Sequence, residues 1–138
     1  MNLKSLGVIA FIALALTGCG KKEFSKMNFK DGTYIGNSKG GEHTSYTEVY
    51  ITIKDNKIIE SSAKFRDSDK NLKDENYGKK AGEEKYIKAQ KAVKAMNEYP
   101  KILLKVQDPE KVDAVAGATH TNELYKKAVW NALEKAKR

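Results

Sequence analysis

Cysteine and histidine are almost missing from this chain: Cys19, His43 and His120 are the whole supply in 138 residues. A single thiol excludes an intrachain disulfide and a thiolate metal centre. Without a Cys-x-x-Cys pair or a His-Glu-x-x-His pattern, a transition metal has no ligand set to build on. A Ser-His-Asp triad is formally possible, as in most chains, but no Gly-x-Ser-x-Gly elbow supports it. Long apolar runs are scarce too. The one run, from Leu6 to Leu16, is too short to span a bilayer as a stable helix. Acidic residues are outnumbered, 18 against 26 Lys and Arg, for a formal charge of +8, yet no recognised nucleic-acid motif accompanies the excess. No internal repeat is present, and the length suits one domain with its own core.

The apolar run, preceded by Lys4 as the only early charge, has the size of a signal-peptide core. Leu16-Thr17-Gly18-Cys19 then resembles a bacterial lipobox, in which the Cys becomes the acylated first residue after cleavage. The expected division is a signal peptide over residues 1–18, a lipidated Cys19 (a palmitate-type anchor) with a polar tether over 19–29, and a domain over 30–138. Such a protein is held at the extracytoplasmic face of the cell membrane by acyl chains. Loss of Lys4 leaves +7 on the mature chain. Lysine-rich faces mostly serve solvation, but beside an anionic membrane the same charge attracts headgroups or acidic partners. Nucleic acid is not an expected partner in that compartment.

Residues 32–37 are compatible with a first strand, followed by turn chemistry at Ser38, Lys39, Gly40, Gly41 and Glu42. Thr47, Val49, Ile51 and Ile53 alternate with Glu48, Tyr50, Thr52 and Lys54, the period of a half-buried strand. Asp55-Asn56 supplies a two-residue turn, and the chain returns with Ile59, Ser61, Ala63 and Phe65 expected on one face. Residues 66–78, dense in Asp, Lys and Asn, read as a long surface loop. Between 79 and 97 the spacing of Tyr86, Ala89, Val93 and Met96 predicts a helix, with Lys85, Lys88, Lys91 and Lys94 off the apolar stripe. Tyr99-Pro100 ends it, because Pro disfavours helical geometry in the residue before. Residues 102–106 fit either a short strand or a helical turn. From 122 onward Leu124, Tyr125, Ala128, Val129, Ala132, Leu133 and Ala136 mark a second helix. The expected fold class is α+β, an antiparallel sheet with a β-hairpin over residues 47–65 packed by two main helices, in a single domain.

The chemistry concentrates just before that last helix, in Asp113-Ala114-Val115-Ala116-Gly117-Ala118-Thr119-His120-Thr121. A carboxylate, a run of small residues and two hydroxyls lead into a helix start, where unpaired N–H groups and the positive end of the macrodipole favour a phosphate. Gly117 and Ala118 allow close approach to the backbone. A turn at Gly117 with Thr119 or Thr121 as an ordinary N-cap accounts for the same residues.

Asp113, Gly117, Ala118 and Thr119 resemble the flavinylation motif of the FMN-binding domain family, whose members include small lipoproteins and subunits of the Rnf and sodium-translocating NADH:quinone oxidoreductase complexes. The resemblance implies that Thr119 carries FMN through a phosphoester bond, installed by a separate FAD-dependent FMN transferase. It matches Asp113 to the motif's acid and Gly117 and Ala118 to its small pair. Ala116 stands where the family usually has Ser or Thr. Asp31-Gly32-Thr33-Tyr34-Ile35-Gly36 is similar to the opening of many members, and Tyr77 to a Tyr they often carry after an acidic loop, where packing serves equally well. His120 and Thr121, next to the acceptor, are further candidates for contact with the cofactor, and Asp113 for holding Mg²⁺ during attachment; no resident metal is expected. The implied role is electron carriage between membrane redox partners, proteins or the quinone pool, and an external acceptor, without a substrate of its own. The alternative, which Ala116 favours, is a surface lipoprotein of the same fold that binds an anionic ligand or a partner without redox chemistry.

Overall fold

The computed structural model describes residues 23–41 and 45–138; the signal segment, Cys19, the first part of the tether and His43 lie outside the described residues. Three strands, β1 (Gly32–Lys39), β2 (Tyr46–Lys54) and β3 (Lys57–Arg66), form an antiparallel meander in the order β1-β2-β3. Three helices follow: α1 (Glu83–Met96), α2 (Tyr99–Val106) and α3 (Thr119–Ala136). The domain is α+β, as expected.

The alternation in β2 places Thr47, Val49, Ile51 and Ile53 in the interior. Asp55 and Asn56 turn the hairpin with φ of 50° and 61°, the left-handed pair of a type I′ connection that follows the natural strand twist. The return strand departs from the expected phase. A bulge at Thr52/Ile53 sets Thr52 opposite Glu60 but Ile53 opposite Ile58. Ile58 is therefore buried while Ile59 is 49% exposed, reversing the inward assignment of Ile59; Phe65, beyond the bulge, faces inward as expected. One inserted residue exchanges the two faces of a period-two strand.

Helix α3 lies on the inner face of the sheet, running back from the Lys39 end of β1 toward its Gly32 end. Ala128, Ala132 and Ala136 are fully buried one turn apart, and small side chains there bring the helix backbone close to β1. At Gly36 a Cβ would lie 1.9 Å from the Ala128 carbonyl oxygen and 2.6 Å from the Ala132 nitrogen, so only glycine fits. Tyr125, Val129 and Leu133 fill the space between helix and sheet with Val49, Ile51, Ile53 and Phe65. The other helices close the flank. The expected stripe of α1 is buried progressively: Tyr86 and Ala89 are half-exposed, Val93 and Met96 buried.

Pro100 does not end helical structure altogether. Helix α1 stops at Met96, and α2 begins at Tyr99 with Pro100 in its first turn, where the absent N–H removes no intrahelical bond. Residues 102–106 are thereby helical. The polar N-terminal stretch read as tether is packed from Phe24 onward: Phe24 and Met27 lie against the core and Phe29 is inside it. Phe29 forms an isolated bridge with Lys137, and its N–H donates to Asn56 Oδ1 at 2.8 Å.

Candidate functional site

The loop from α2 to α3 is fastened at several points before it reaches the motif. Gln107 ends α2 with φ of 61° and clips onto β3, its Oε1 accepting from Ile58 N at 2.8 Å and its Nε2 donating to Ile58 O at 2.8 Å. Asp108 accepts from Glu110 N at 2.9 Å, capping the short helical turn Pro109–Lys111. Val112 is fully buried, and its carbonyl accepts from Asn122 Nδ2 at 2.9 Å.

Beyond Val112 the backbone comes to the surface, and Asp113, Ala114, Ala116 and Gly117 are exposed. A turn closes from Ala118 N to Val115 O at 3.0 Å. Gly117 is its third residue with φ of 92°, the position at which a type II turn requires a left-handed residue. A single buried hydroxyl fixes this turn from below. Tyr99 Oη accepts from Val115 N at 3.0 Å and donates to the Ala118 carbonyl at 2.9 Å. The Tyr99 ring stacks on Tyr125 with centroids 5.5 Å apart. Tyr125 is in turn within 3.3 Å of Ser61 Oγ, and burial pushes its phenol up well beyond the ordinary range, which keeps it neutral.

Helix α3 starts at Thr119, preceded by Ala118 in a non-helical conformation, and no side chain caps it. Thr119 is exposed. The ordinary alternative, with Thr119 or Thr121 as N-cap, does not hold: the cap position falls on Ala118, and Thr121 is turned inward, 8% exposed. The open end of an 18-residue helix thus presents first-turn N–H groups and positive dipole beside a free hydroxyl, a setting that suits a phosphate. His120 is exposed but lies toward the end of β1, where a Cβ on Gly40 would come within 3.4 Å of its Nε2.

Gly117 also lines a cleft of about 430 Å³ with Lys85, Lys88, Ala89, Lys91 and Ala92 of α1. Its volume is within the range of small-molecule sites, about 300–1,000 Å³. Its lining is mostly apolar, from two alanines and the stems of three lysines, and a lysine can keep its charged head in water while its stem covers apolar surface, a combination that suits a planar heterocycle bearing a phosphate. A second cleft of about 650 Å³ adjoins it, lined by Tyr77, Gly78, Lys79 and Lys80 among others and sharing Lys85 and Ala89 with the first. Tyr77 is half-buried there, with Lys73 Nζ 5.8 Å from its ring centre; burial first, and the Asp67 carboxylate second, push its hydroxyl pKa up. The loop bearing it is tied to α1 by Gln90 Nε2, which donates to Tyr77 O at 2.9 Å and to Asp74 O at 3.0 Å.

The structure therefore brings Gly117, two residues before exposed Thr119, against the lysine face of α1, and leaves Asp113 exposed. It directs Thr121 and His120 elsewhere. Among the described residues no group of three or more His, Cys, Asp or Glu side chains could hold a metal ion. Sequence reasoning missed Tyr99, whose phenol no local pattern connects to a turn 16 to 19 residues later, and took Lys85, Lys88 and Lys91 only as a solvated face.

The profile described as "FMN-binding domain" matches residues 43–134, two thirds of the chain. The crystal structure of CPE2226 protein from Clostridium perfringens shares the fold, with a TM-score of 0.61 at 22% identity over 79% of this chain and 89% of that one. No curated protein matches the chain. FMN is accordingly the cofactor to which the exposed threonine, the uncapped helix and the lysine-rimmed cleft must be fitted, and the chain belongs to the FMN-binding domain family.

Proposed function

We propose that this protein is an extracytoplasmic electron carrier, anchored by an acylated Cys19 and holding FMN through a phosphoester to Thr119. The observation that carries the reading is the exposure of Thr119 at an uncapped helix start next to the Gly117 cleft. In attachment by an FAD-dependent transferase, the Thr119 hydroxyl oxygen forms a bond to the flavin-bearing phosphorus of FAD. The pyrophosphate P–O bond breaks, AMP leaves, and the hydroxyl proton is lost. The first-turn N–H groups of α3 then receive the phosphodiester charge, while Lys85, Lys88 and Lys91 supply positive potential along the cleft. Bound flavin would supply the redox chemistry; the chain would supply position and charge. Asp113, exposed six residues before the acceptor, is placed for reading by the transferase or for sharing a Mg²⁺ with the incoming phosphate. At Ala116, also exposed, the missing hydroxyl leaves no packing defect, consistent with attachment that relies on backbone donors.

Co-expression with an FMN transferase tests the reading. The membrane fraction should then contain this protein as a flavin-fluorescent band that survives denaturing electrophoresis, and Thr119→Ala should remove the fluorescence while leaving the protein folded. A non-fluorescent wild-type band under those conditions would overturn covalent attachment. Since the Thr119 side chain makes no cap bond, the stability change should stay within about 0.5 kcal/mol.

A further inference from the structure

Three separate segments converge at the end of the molecule opposite the motif. Lys30 N donates to Ala136 O at 2.8 Å and Arg138 N to Asn28 O at 3.0 Å, joining the first described residues to the last. Asn56 Nδ2 donates to Met27 O at 3.1 Å, and Asp55 N to Asp31 Oδ1 at 2.9 Å, joining the hairpin turn to the same segment. Six exposed cations sit on this end: Lys26, Lys30, Lys54, Lys57, Lys137 and Arg138. Three acids stand among the joined segments, and Glu60 and Glu134 are exposed close by in β3 and α3. Glu23 pairs with Lys26 at 2.7 Å, Asp31 is engaged by the Asp55 N–H, and Asp55 itself completes the set.

We infer that this basic end is a docking surface for anionic lipid headgroups, and that it holds the motif away from the membrane. The inference rests on the acylation of Cys19 proposed above. Only residues 20–23 separate Cys19 from Phe24, which is packed on the core; five steps of extended chain reach no more than about 18 Å. An acylated Cys19 therefore keeps the Phe24 end beside the bilayer, and an end on which exposed cations outnumber acids meets a surface of opposite sign, an attraction that acts within a Debye length. Helix α3 runs from the motif at Thr119 to Ala136 at the basic end. Its 18 residues measure about 27 Å, so Thr119 stands roughly that far off the headgroups. That position opens the Gly117 cleft to partners in the aqueous layer and keeps it out of reach of one dissolved in the hydrocarbon.

The test uses the acylated protein reconstituted into vesicles of phosphatidylcholine alone or of phosphatidylcholine with phosphatidylglycerol, carrying a headgroup-linked energy acceptor. A donor dye is placed through Ser25→Cys, at the basic end, or through Glu123→Cys, just beyond the first turn of α3. On the anionic vesicles, with a donor–acceptor pair of short transfer range, clearly stronger transfer is expected from position 25 than from position 123. The tether alone keeps position 25 near the bilayer, so the contrast should narrow, through a rise in transfer from position 123, on neutral vesicles, at high salt, and in a variant with Lys26, Lys30, Lys54 and Lys57 all changed to Gln. Equal transfer from the two positions on anionic vesicles, or a contrast that survives the Gln variant unchanged, would overturn the inference. Failure of the protein to float with either vesicle type would instead strike the anchoring itself.

Discussion

Tyr99→Phe isolates the one hydroxyl that holds the motif turn. The ring should keep its place on Tyr125, since Tyr99 is fully buried and stacked at 5.5 Å. Two hydrogen bonds disappear together, from Val115 N and to Ala118 O. The losses are unequal. The Ala118 carbonyl still accepts from Asn122 N at 3.0 Å, whereas the half-buried Val115 N–H has no other acceptor among the hydrogen bonds of the described residues. A stranded buried donor costs about 1–3 kcal/mol, and with a modest contribution from the second bond the total should be about 2 kcal/mol. For a domain of this size that corresponds to a fall in Tm of roughly 8 °C. Calorimetry of the flavin-free protein reads this directly. A Val115–Ala118 turn without its latch should also present Thr119 less uniformly, so flavin loading by the transferase should slow several-fold. If the variant melts within about 2 °C of the parent and loads at the same rate, Tyr99 does not organise the site. A normal loading rate with the full drop in Tm would make its role purely structural.

Asp113→Asn should leave the melting temperature unchanged, within about 0.5 kcal/mol for an exposed side chain, but load little flavin on co-expression; normal loading with lowered stability would make the carboxylate structural. Ile58→Ala and Ile59→Ala test the bulge as a pair: urea titration should show a loss of about 2–4 kcal/mol for buried Ile58 and under about 0.5 kcal/mol for exposed Ile59. The reverse order would mean that the strand keeps the regular register. Gly36→Ala drives a methyl into the backbone of α3, which no rotamer change relieves, and should cost more than about 3 kcal/mol; a soluble variant of parental stability would refute the close approach of helix to strand.

Local pattern was sufficient wherever one segment decides its own structure. The alternation from Thr47 to Lys54, the Asp55-Asn56 turn and the three- and four-residue spacing after Asn122 each announced an element that the chain adopts. The motif itself was legible because the residues from Asp113 to Thr119 are contiguous, so their juxtaposition needs no fold. What the sequence could not supply is set by partners distant along the chain. The bulge that buries Ile58 in place of Ile59 arises from pairing with β2, and either residue alone satisfies an apolar position. The inward turn of Thr121 follows from the seating of α3 on the sheet rather than from its own hydroxyl. Tyr99 reaches the motif turn, and the lysines of α1 face Gly117, because the helices before the motif fold back against it. Composition determined that the chain is basic; only tertiary packing gathered six of those cations at the end where the described chain begins, about 27 Å from the threonine at the other end of α3.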